Sequence, residues 1–337
     1  MPSNFAAFLV GEGVHPLSVG PAPYTSPGPS EIVVKNGAVA VNPIEYILQD
    51  HLMPSFPMHY PMILGQDLAG VVEEIGSNVT QFKVGDRVLG HAFGMLHNNN
   101  DPESAFQLYT VVGEEMAVAI PDEMSFEAAT VLPLCFSTAA AGLYQDNFLN
   151  LPPPSLNPTP RNQTLLVWGG ASCVGSNAIQ LAVASGYEVV ATASAKNFDY
   201  IKQLGATQVY DYHSDSVVSD IIACLKGKVI AGAFNAVKDG FDGCLEIVQA
   251  SEGSKFISSV LPVPEVLPAG ISSGWILMEP AKFSKLAYVD FLTPAIKEGK
   301  YIVAPKPLIV GKGLEAIQSG IDRQKQGMSA EKVVISL

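Results

Sequence analysis

The stretch Leu165-Leu166-Val167-Trp168-Gly169-Gly170-Ala171-Ser172-Cys173-Val174-Gly175-Ser176-Asn177-Ala178-Ile179-Gln180-Leu181-Ala182 decides the fold. Its apolar start reads as a buried strand. Gly169 and Gly170 break that strand, and an amphipathic run with Val174, Ala178, Ile179 and Leu181 on one face follows at once. A strand that passes through glycines into a helix makes an anion site for a physical reason. The first N–H groups of the helix have no intrahelical partner, and the macrodipole places partial positive charge there. The early glycines permit the tight turn, Gly175 lets the helix pack close to the strand, and Ser172 carries a hydroxyl to offer a phosphate. The pattern is not a complete G-x-G-x-x-G, and an ordinary strand–helix turn uses similar letters. The preceding strand, the following helix and the next repeat of the alternation all favour a dinucleotide.

Outward from this turn, strands and helices alternate. A strand is expected at 187–193, a helix at 197–204 ending at Gly205, a strand at 208–210 and a helix at 217–225, with 229–237, 240–249 and 255–260 continuing the series. That alternation predicts βαβ units, hence an α/β domain with a doubly wound parallel sheet. A helix over 283–298 and a short mixed tail with a strand-like end at 332–337 complete the chain. Upstream, residues 1 to about 125 read as mostly β. Short apolar runs at 5–10, 32–35, 68–75, 87–89, 107–112 and 117–120 are separated by turns such as Pro27-Gly28-Pro29 and Val84-Gly85-Asp86. This predicts a barrel or sandwich-like module. A capped helix begins at Ser125, and an Ala-rich helix spans 137–148. The segment 151–160, rich in proline, is expected as an extended surface loop, with a Pro-rich recognition ligand as the alternative.

Composition agrees with two ordinary domains. The chain has 337 residues, 48% hydrophobic and 15% charged, too apolar for a disordered protein. Its net charge, 19 − 32 = −13, argues against a nucleic-acid partner, because that affinity comes from Lys and Arg on phosphates. No uninterrupted apolar run suggests a membrane span, and the N-terminus has no basic flank typical of a secretory signal. Cys135, Cys173, Cys224 and Cys244 are widely spaced and form no CxxC pair, so we expect small core residues in a reducing, cytoplasmic setting.

The tip of the second strand addresses which dinucleotide binds. An NAD site usually ends this strand in a carboxylate for the ribose hydroxyls. Here it ends Ala193-Ser194-Ala195-Lys196-Asn197. A hydroxyl, an ammonium and an amide suit a 2′-phosphate. Tyr212, after the third strand, adds a phenol or an aromatic surface. Lys196 also reads as a plain solvated charge, although a cation in a first helical turn is mildly unfavourable. We therefore expect NADP(H).

The string Gly65-Gln66-Asp67-Leu68-Ala69-Gly70-Val71-Val72-Glu73-Glu74-Ile75-Gly76, followed by Phe82-Lys83-Val84-Gly85-Asp86-Arg87-Val88, resembles the medium-chain dehydrogenase/reductase superfamily, and the resemblance covers essentially the whole chain. It implies a GroES-like β-barrel substrate domain at 1–124 and 286–337, and a Rossmann NADP(H)-binding domain at 125–285. Zinc members carry Gly-His-Glu where this chain has Gly65-Gln66-Asp67, and a Cys where it has Val41-Asn42-Pro43-Ile44-Glu45-Tyr46. The segment 90–109 contains no Cys; His91 and His97 read as loop residues. No metal site is expected. Without a Lewis acid, the chemistry shifts to hydride addition onto an activated C=C bond.

Within the zinc-independent branch, the chain resembles fungal toxD-like trans-acting enoyl reductases and quinone oxidoreductase-like proteins. The residues that carry this are Asn42-Pro43-Ile44-Glu45, Leu132-Pro133 with Ser137-Thr138-Ala139, the glycine turn, Ser194-Ala195-Lys196-Asn197-Phe198-Asp199 and Val209-Tyr210-Asp211-Tyr212. The resemblance places Pro43, Ile44, Glu45 and Tyr46 on the nicotinamide side. It assigns Gly170, Ser172, Cys173, Val174 and Gly175 to the pyrophosphate, and Ser194, Lys196, Asn197 and Tyr212 to the 2′-phosphate. Val260 and Leu261 fall near the nicotinamide ribose. Cys135, Phe136, Ser137, Thr138 and Ala139 line the substrate pocket, with Trp275 and Met278 shaping it from a short segment after Val260. Thr138 is the candidate carbonyl donor. Tyr46 is the candidate acid, or else a buried aromatic beside the cofactor; Ile47 stands where some relatives have Lys. The implied activity is NADPH-dependent reduction of an enone or enoyl thioester, with a polyketide synthase as implied partner and a monomer or homodimer as the assembly. Alternatives are an NADPH:quinone oxidoreductase and a non-catalytic NADP(H)-binding protein.

Overall fold

The computed structural model describes residues 2–53 and 56–337. The chain divides into two units, 1–134 with 306–337 and 135–305. The divisions lie later than the sequence suggested, for identifiable reasons. The short helix Phe126–Ala129, capped by Ser125 accepting from Ala128 N, packs on strands Glu31–Ala40 and Asp67–Ile75 of the first unit. Its Glu127 accepts a bond from Ser336 Oγ at 2.7 Å. Residues 286–305 are instead bound into the second unit. Tyr288 OH and Ser137 Oγ share a bond of 2.7 Å, Tyr301 OH donates to Asn177 Oδ1 at 2.6 Å, and Ile302 N donates to Gln180 Oε1 at 2.9 Å.

The second unit is built on a parallel sheet in the order Gln208–Asp211, Glu188–Ala193, Gln163–Trp168, Val229–Asn235, Phe256–Ser259, Ser272–Trp275. The chain starts in the middle, builds to one side, then crosses back and builds to the other. The strand order therefore reverses between Gln163–Trp168 and Val229–Asn235, where sheets of this kind bind ligands at their carboxyl ends. Leu166, Val190, Ile230, Ala233 and Ile257 from the strands pack against Ile221, Ile247 and Val248 from the helices, all fully buried. Strand Ser272–Trp275 was not expected. The helix expected over 283–298 is a π-helical stretch, Lys285–Leu292, running into an α-helix, Thr293–Lys297. Pro294 lacks an N–H and its ring crowds the carbonyl one turn back. The wider turn answers this, with Thr293 N reaching Tyr288 O.

The first unit holds a mostly antiparallel sheet, Lys306–Lys312, Glu331–Ser336, Glu31–Ala40, Asp67–Ile75, Arg87–His91, Ala117–Ala119, with Tyr109–Gly113 also paired to Glu31–Ala40. A smaller sheet joins Ser18–Ala22, Asn4–Leu9 and Met62–Ile63. The strand expected at 32–35 is ten residues long because it bends instead of stopping. Its register against Asp67–Ile75 shifts twice, between Val33 and Val34 and between Asn36 and Ala38. The buried Asn36 survives there by donating to Gln107 O at 2.8 Å and Thr110 Oγ1 at 2.9 Å. An unexpected helix, Pro43–Gln49, follows that strand. In the second unit the proline-rich segment 151–160 forms neither helix nor strand and is tied down by Ser155 N donating to Ala184 O at 2.8 Å.

Candidate functional site

The glycine turn is built as its sequence implies. Strand Gln163–Trp168 ends at Gly169, whose φ of +84° is the left-handed region that favours glycine. Gly169 N donates to Thr192 Oγ1 at 3.0 Å and Gly170 N to Thr192 O at 2.8 Å, so the neighbouring strand holds the turn. Helix Cys173–Ala184 begins next, with Ser172 as N-cap accepting from Gly175 N at 3.0 Å. A Cβ on Gly175 would lie 2.2 Å from Gly169 O. Gly175 therefore contributes close approach, while its N–H is engaged inside the turn. Ala171, Ser172, Cys173 and Val174 are half-buried around it.

Strand Glu188–Ala193 runs into Ser194 and the tight turn Ala195–Asn197. Ala193 pairs with Asp211, so Ser194 and Tyr212 each stand one residue beyond a paired position, side by side at the end of the sheet. Lys196 is exposed and Tyr212 is 46% exposed. Asn197 is buried, and its amide donates to Ser194 Oγ at 3.2 Å, so it shapes the turn. The Asp211 carboxylate is engaged by His213 N at 3.0 Å and His213 Nδ1 at 2.8 Å, which holds it below the usual carboxylate range. Val260 and Leu261 follow strand Phe256–Ser259; Val260 N donates to Asn235 O at 3.0 Å and Leu261 N to Ser259 Oγ at 3.2 Å. The turn, the missing Cβ atoms and the strand tips fit a dinucleotide.

Helix Pro133–Tyr144 carries the residues expected in the substrate wall. Phe136, Ser137 and Ala139 are fully buried and Cys135 nearly so. The Phe136 ring stands edge-on to Tyr288 at 5.0 Å and to Tyr301 at 5.8 Å. These side chains are core. Thr138 is half-buried and donates to Met278 Sδ at 3.8 Å, while Trp275 remains 37% exposed.

In the first unit, Asn42 precedes helix Pro43–Gln49 and its N donates to Glu45 Oε2 at 2.6 Å. Glu45 is 1% exposed, so its side chain is turned into the protein. Burial, with the Asp67 charge nearby, pushes its carboxyl up to about 8, and Oε1 has no hydrogen-bond partner among the described residues. Pro43 is exposed, Ile44 and Tyr46 half-buried. Asp67, wholly buried, accepts from Leu134 N at 2.6 Å, Asn42 Nδ2 at 2.8 Å and Lys332 Nζ at 2.9 Å. Lys332 also donates to Asn42 Oδ1. His91 is no loop residue: it ends strand Arg87–His91, buried, with Nε2 at 3.3 Å from Gln66 Oε1. Burial drives its ring down to about 3, so it is neutral. His97 does lie in a turn, 2.5 Å from Glu103 Oε2.

Comparison with known proteins agrees with this architecture. Residues 28–122 match the alcohol dehydrogenase GroES-like domain family, and residues 173–270 the zinc-binding dehydrogenase family. The chain is 44% identical to dehydrogenase azaJ of Aspergillus niger, covering 100% of both chains. It is 40% identical to trans-enoyl reductase himH of Aspergillus japonicus, covering 99% of this chain and 97% of that one. An alcohol dehydrogenase superfamily structure from Novosphingobium aromaticivorans superposes with a TM-score of 0.79 at 22% identity, covering 99% of each. The chain is a medium-chain dehydrogenase/reductase. Its first unit is the GroES-like domain and its second the Rossmann domain of that superfamily.

Zinc, which the second family's description implies, does not fit the Gln66–Asp67 pair of this medium-chain dehydrogenase/reductase. The Asp67 oxygens are occupied by N–H donors, and an ammonium 2.9 Å away would oppose a dication. Gln66 offers a neutral amide, and among the described residues no three His, Cys, Asp or Glu side chains gather to hold a metal. The sequence reading passed over the Asn42–Asp67–Lys332 anchor. Its one signal was a lysine opening the apolar run Lys332-Val333-Val334-Ile335.

Proposed function

We propose that this protein is an NADPH-dependent, zinc-free reductase of activated C=C bonds, acting in trans on an enoyl thioester made by a polyketide synthase. The observation that carries the reading is Asp67. In a dehydrogenase fold with an intact dinucleotide turn, the residue beside the usual metal ligand is committed to Lys332, Asn42 and Leu134. With no Lewis acid to activate an alcohol, hydride addition to an alkene already polarised by a carbonyl is the chemistry left. Relatives named trans-enoyl reductases support the substrate class.

NADPH, when bound, supplies the hydride for the β-carbon. The turn at 169–175 seats the pyrophosphate, with Ser172, Cys173 and Val174 in and before the first helical turn, and Gly170 and Gly175 letting the helix pack close to the strands so that its N-terminus is held there. Ser194, Lys196 and Tyr212 take the 2′-phosphate, and Val260 and Leu261 flank the nicotinamide ribose. Thr138, Trp275 and Met278 line the substrate, and Pro43, Ile44 and Tyr46 approach the nicotinamide. Tyr46 is the side-chain acid for the α-carbon.

NADPH consumption against enones, quinones, alcohols and enoyl thioesters, free and carrier-bound, with product identification, tests the activity. Saturated thioester as product is the expected result. Turnover of quinones alone, or of alcohols, overturns it. For the cofactor, Lys196→Ala with Tyr212→Ala should raise KM for NADPH about tenfold or more, the loss of a charge-assisted phosphate contact, and leave NADH nearly unchanged. Equal loss for both cofactors rejects the phosphate assignment.

A further inference from the structure

One cavity in the GroES-like unit has room for about one water molecule and is lined by Ile44, Glu45, Leu48, Gln66, Met95 and Ser104, among others. Two polar side chains converge on it from different elements. The Gln66 amide has defined handedness. A thioether sulfur only accepts, so the amide nitrogen is the atom facing Met95 Sδ at 3.9 Å, and Oε1 faces His91. An amide oxygen only accepts, so the neutral His91 ring carries its proton on Nε2. That contact fixes the amide and leaves Nε2 with a long, weak sulfur partner on a flexible side chain. From helix Pro43–Gln49, Glu45 commits Oε2 to Asn42 N, while Oε1 is buried without a hydrogen-bond partner among the described residues.

We propose that this cavity is an oxyanion hole: Gln66 Nε2–H and the Oε1–H of a protonated Glu45 take the carbonyl oxygen of the unsaturated substrate as negative charge develops on it, with His91 positioning the amide. The inference rests on the reductase reading above. The dimensions agree, since a carbonyl oxygen is the size of the water the cavity accommodates. Donors fixed in advance in a water-poor site are an effective way to stabilise an enolate. Glu45 keeps its proton at neutral pH because it is desolvated and Asp67 opposes a second negative charge, against the attraction of Lys332 and the Asn42 N–H. The other titratable groups packed around it do not reverse this. His91 is neutral, and Lys332 is already paired with Asp67. A neutral buried acid donates where an ionised one would repel.

The experiment compares kcat for an enoyl thioester, the dissociation constant for NADPH, and the carbonyl stretch of a saturated thioester bound with NADP+. Gln66→Met, which keeps the volume and removes the donor, should lower kcat about a hundredfold, leave NADPH binding unchanged, and move the stretch back toward its solution frequency. Glu45→Leu should do likewise. Glu45→Gln keeps the cap and exchanges the O–H donor for an N–H donor that does not ionise, so it should abolish the loss of activity expected in the parent as pH rises through about 8. His91→Phe should lower kcat, and His91→Gln, which retains a side-chain N–H, should restore part of it. Should Gln66→Met not fold, Gln66→Asn, which withdraws the amide by one methylene, reads the same stretch. Full kcat and an unshifted stretch in a folded Gln66 variant overturn the oxyanion hole alone. A parent protein that binds NADPH but reduces no activated alkene overturns the reductase reading instead.

Discussion

A buried carboxyl must either collect donors or keep its proton, and Asp67 and Glu45 make opposite choices within one unit. Asp67 takes three N–H donors, one of them an ammonium. Glu45 has only backbone N–H groups, those of Asn42 and of its own residue, and is raised from an ordinary 4.5 to about 8. The sign of its effect on stability follows. Between those two values the unfolded chain has released the proton that the folded chain still holds, so folding loses stability as pH rises from about 4.5 to about 8, and levels off above. Each unit of that span is worth about 1.4 kcal/mol. Glu45→Gln cannot ionise yet still accepts from Asn42 N. Urea unfolding at pH 5 and pH 9 should therefore find the variant more stable than the parent at pH 9 by about 2–4 kcal/mol, and close to it at pH 5. A parallel pH dependence in both proteins would show that Glu45 ionises normally. The helix that turns Glu45 inward was legible after the fact: Asn42 as N-cap, Pro43 in the first turn and Glu45 three residues on are start signals. Its seven residues are too few for a hydrophobic period to announce it.

At the scale of elements, the strand–turn–helix at 163–184 was readable because each local choice agrees with the fold. From Leu165 to Trp168 the strand is a continuous apolar run, because helices cover both faces of a parallel sheet. The glycines stand where the backbone needs a positive φ or a close approach. Strand Ser272–Trp275 was illegible for the converse reason. It is an edge strand of sequence Ser-Ser-Gly-Trp, half exposed, with no alternation to read. Helix Pro133–Tyr144 is apolar on nearly all sides, so its sequence does not say which side is core. The turn itself gives a sharp expectation. In Gly175→Ala the new methyl meets the carbonyl of Gly169, which is backbone and cannot rotate away. The helix must shift off the strand, at a cost of about 1–3 kcal/mol. Thermal melts should show that loss. Fluorescence titration should show NADPH and NADH binding weakened together by at least about tenfold, since the pyrophosphate is common to both. Unchanged affinity in a folded variant would place the pyrophosphate elsewhere.

At the scale of the whole chain, the GroES-like unit is completed only when the C-terminus returns. Strand Glu331–Ser336 pairs with Glu31–Ala40, and it delivers Lys332 to Asp67 and Asn42, the latter 290 positions away in sequence. No local pattern reveals such a contact, which is why the return of the tail entered the sequence reading through resemblance and the ion pair did not enter at all. The pair differs in kind from the exposed ones, such as Lys282 with Asp146, whose water-screened contacts contribute little. Lys332 is 4% exposed on its side chain and Asp67 0%. Lys332→Met should therefore strand a buried carboxylate and cost about 3–5 kcal/mol, with little relief from salt because the site is shielded from solvent ions. Adding Asp67→Asn removes the stranded charge while still accepting from Leu134 N. The double variant should recover more than half of the loss, read as a denaturation midpoint in low and high salt. If the two losses simply add, Lys332 and Asp67 stabilise the unit independently, and the return of the tail is held by strand pairing alone.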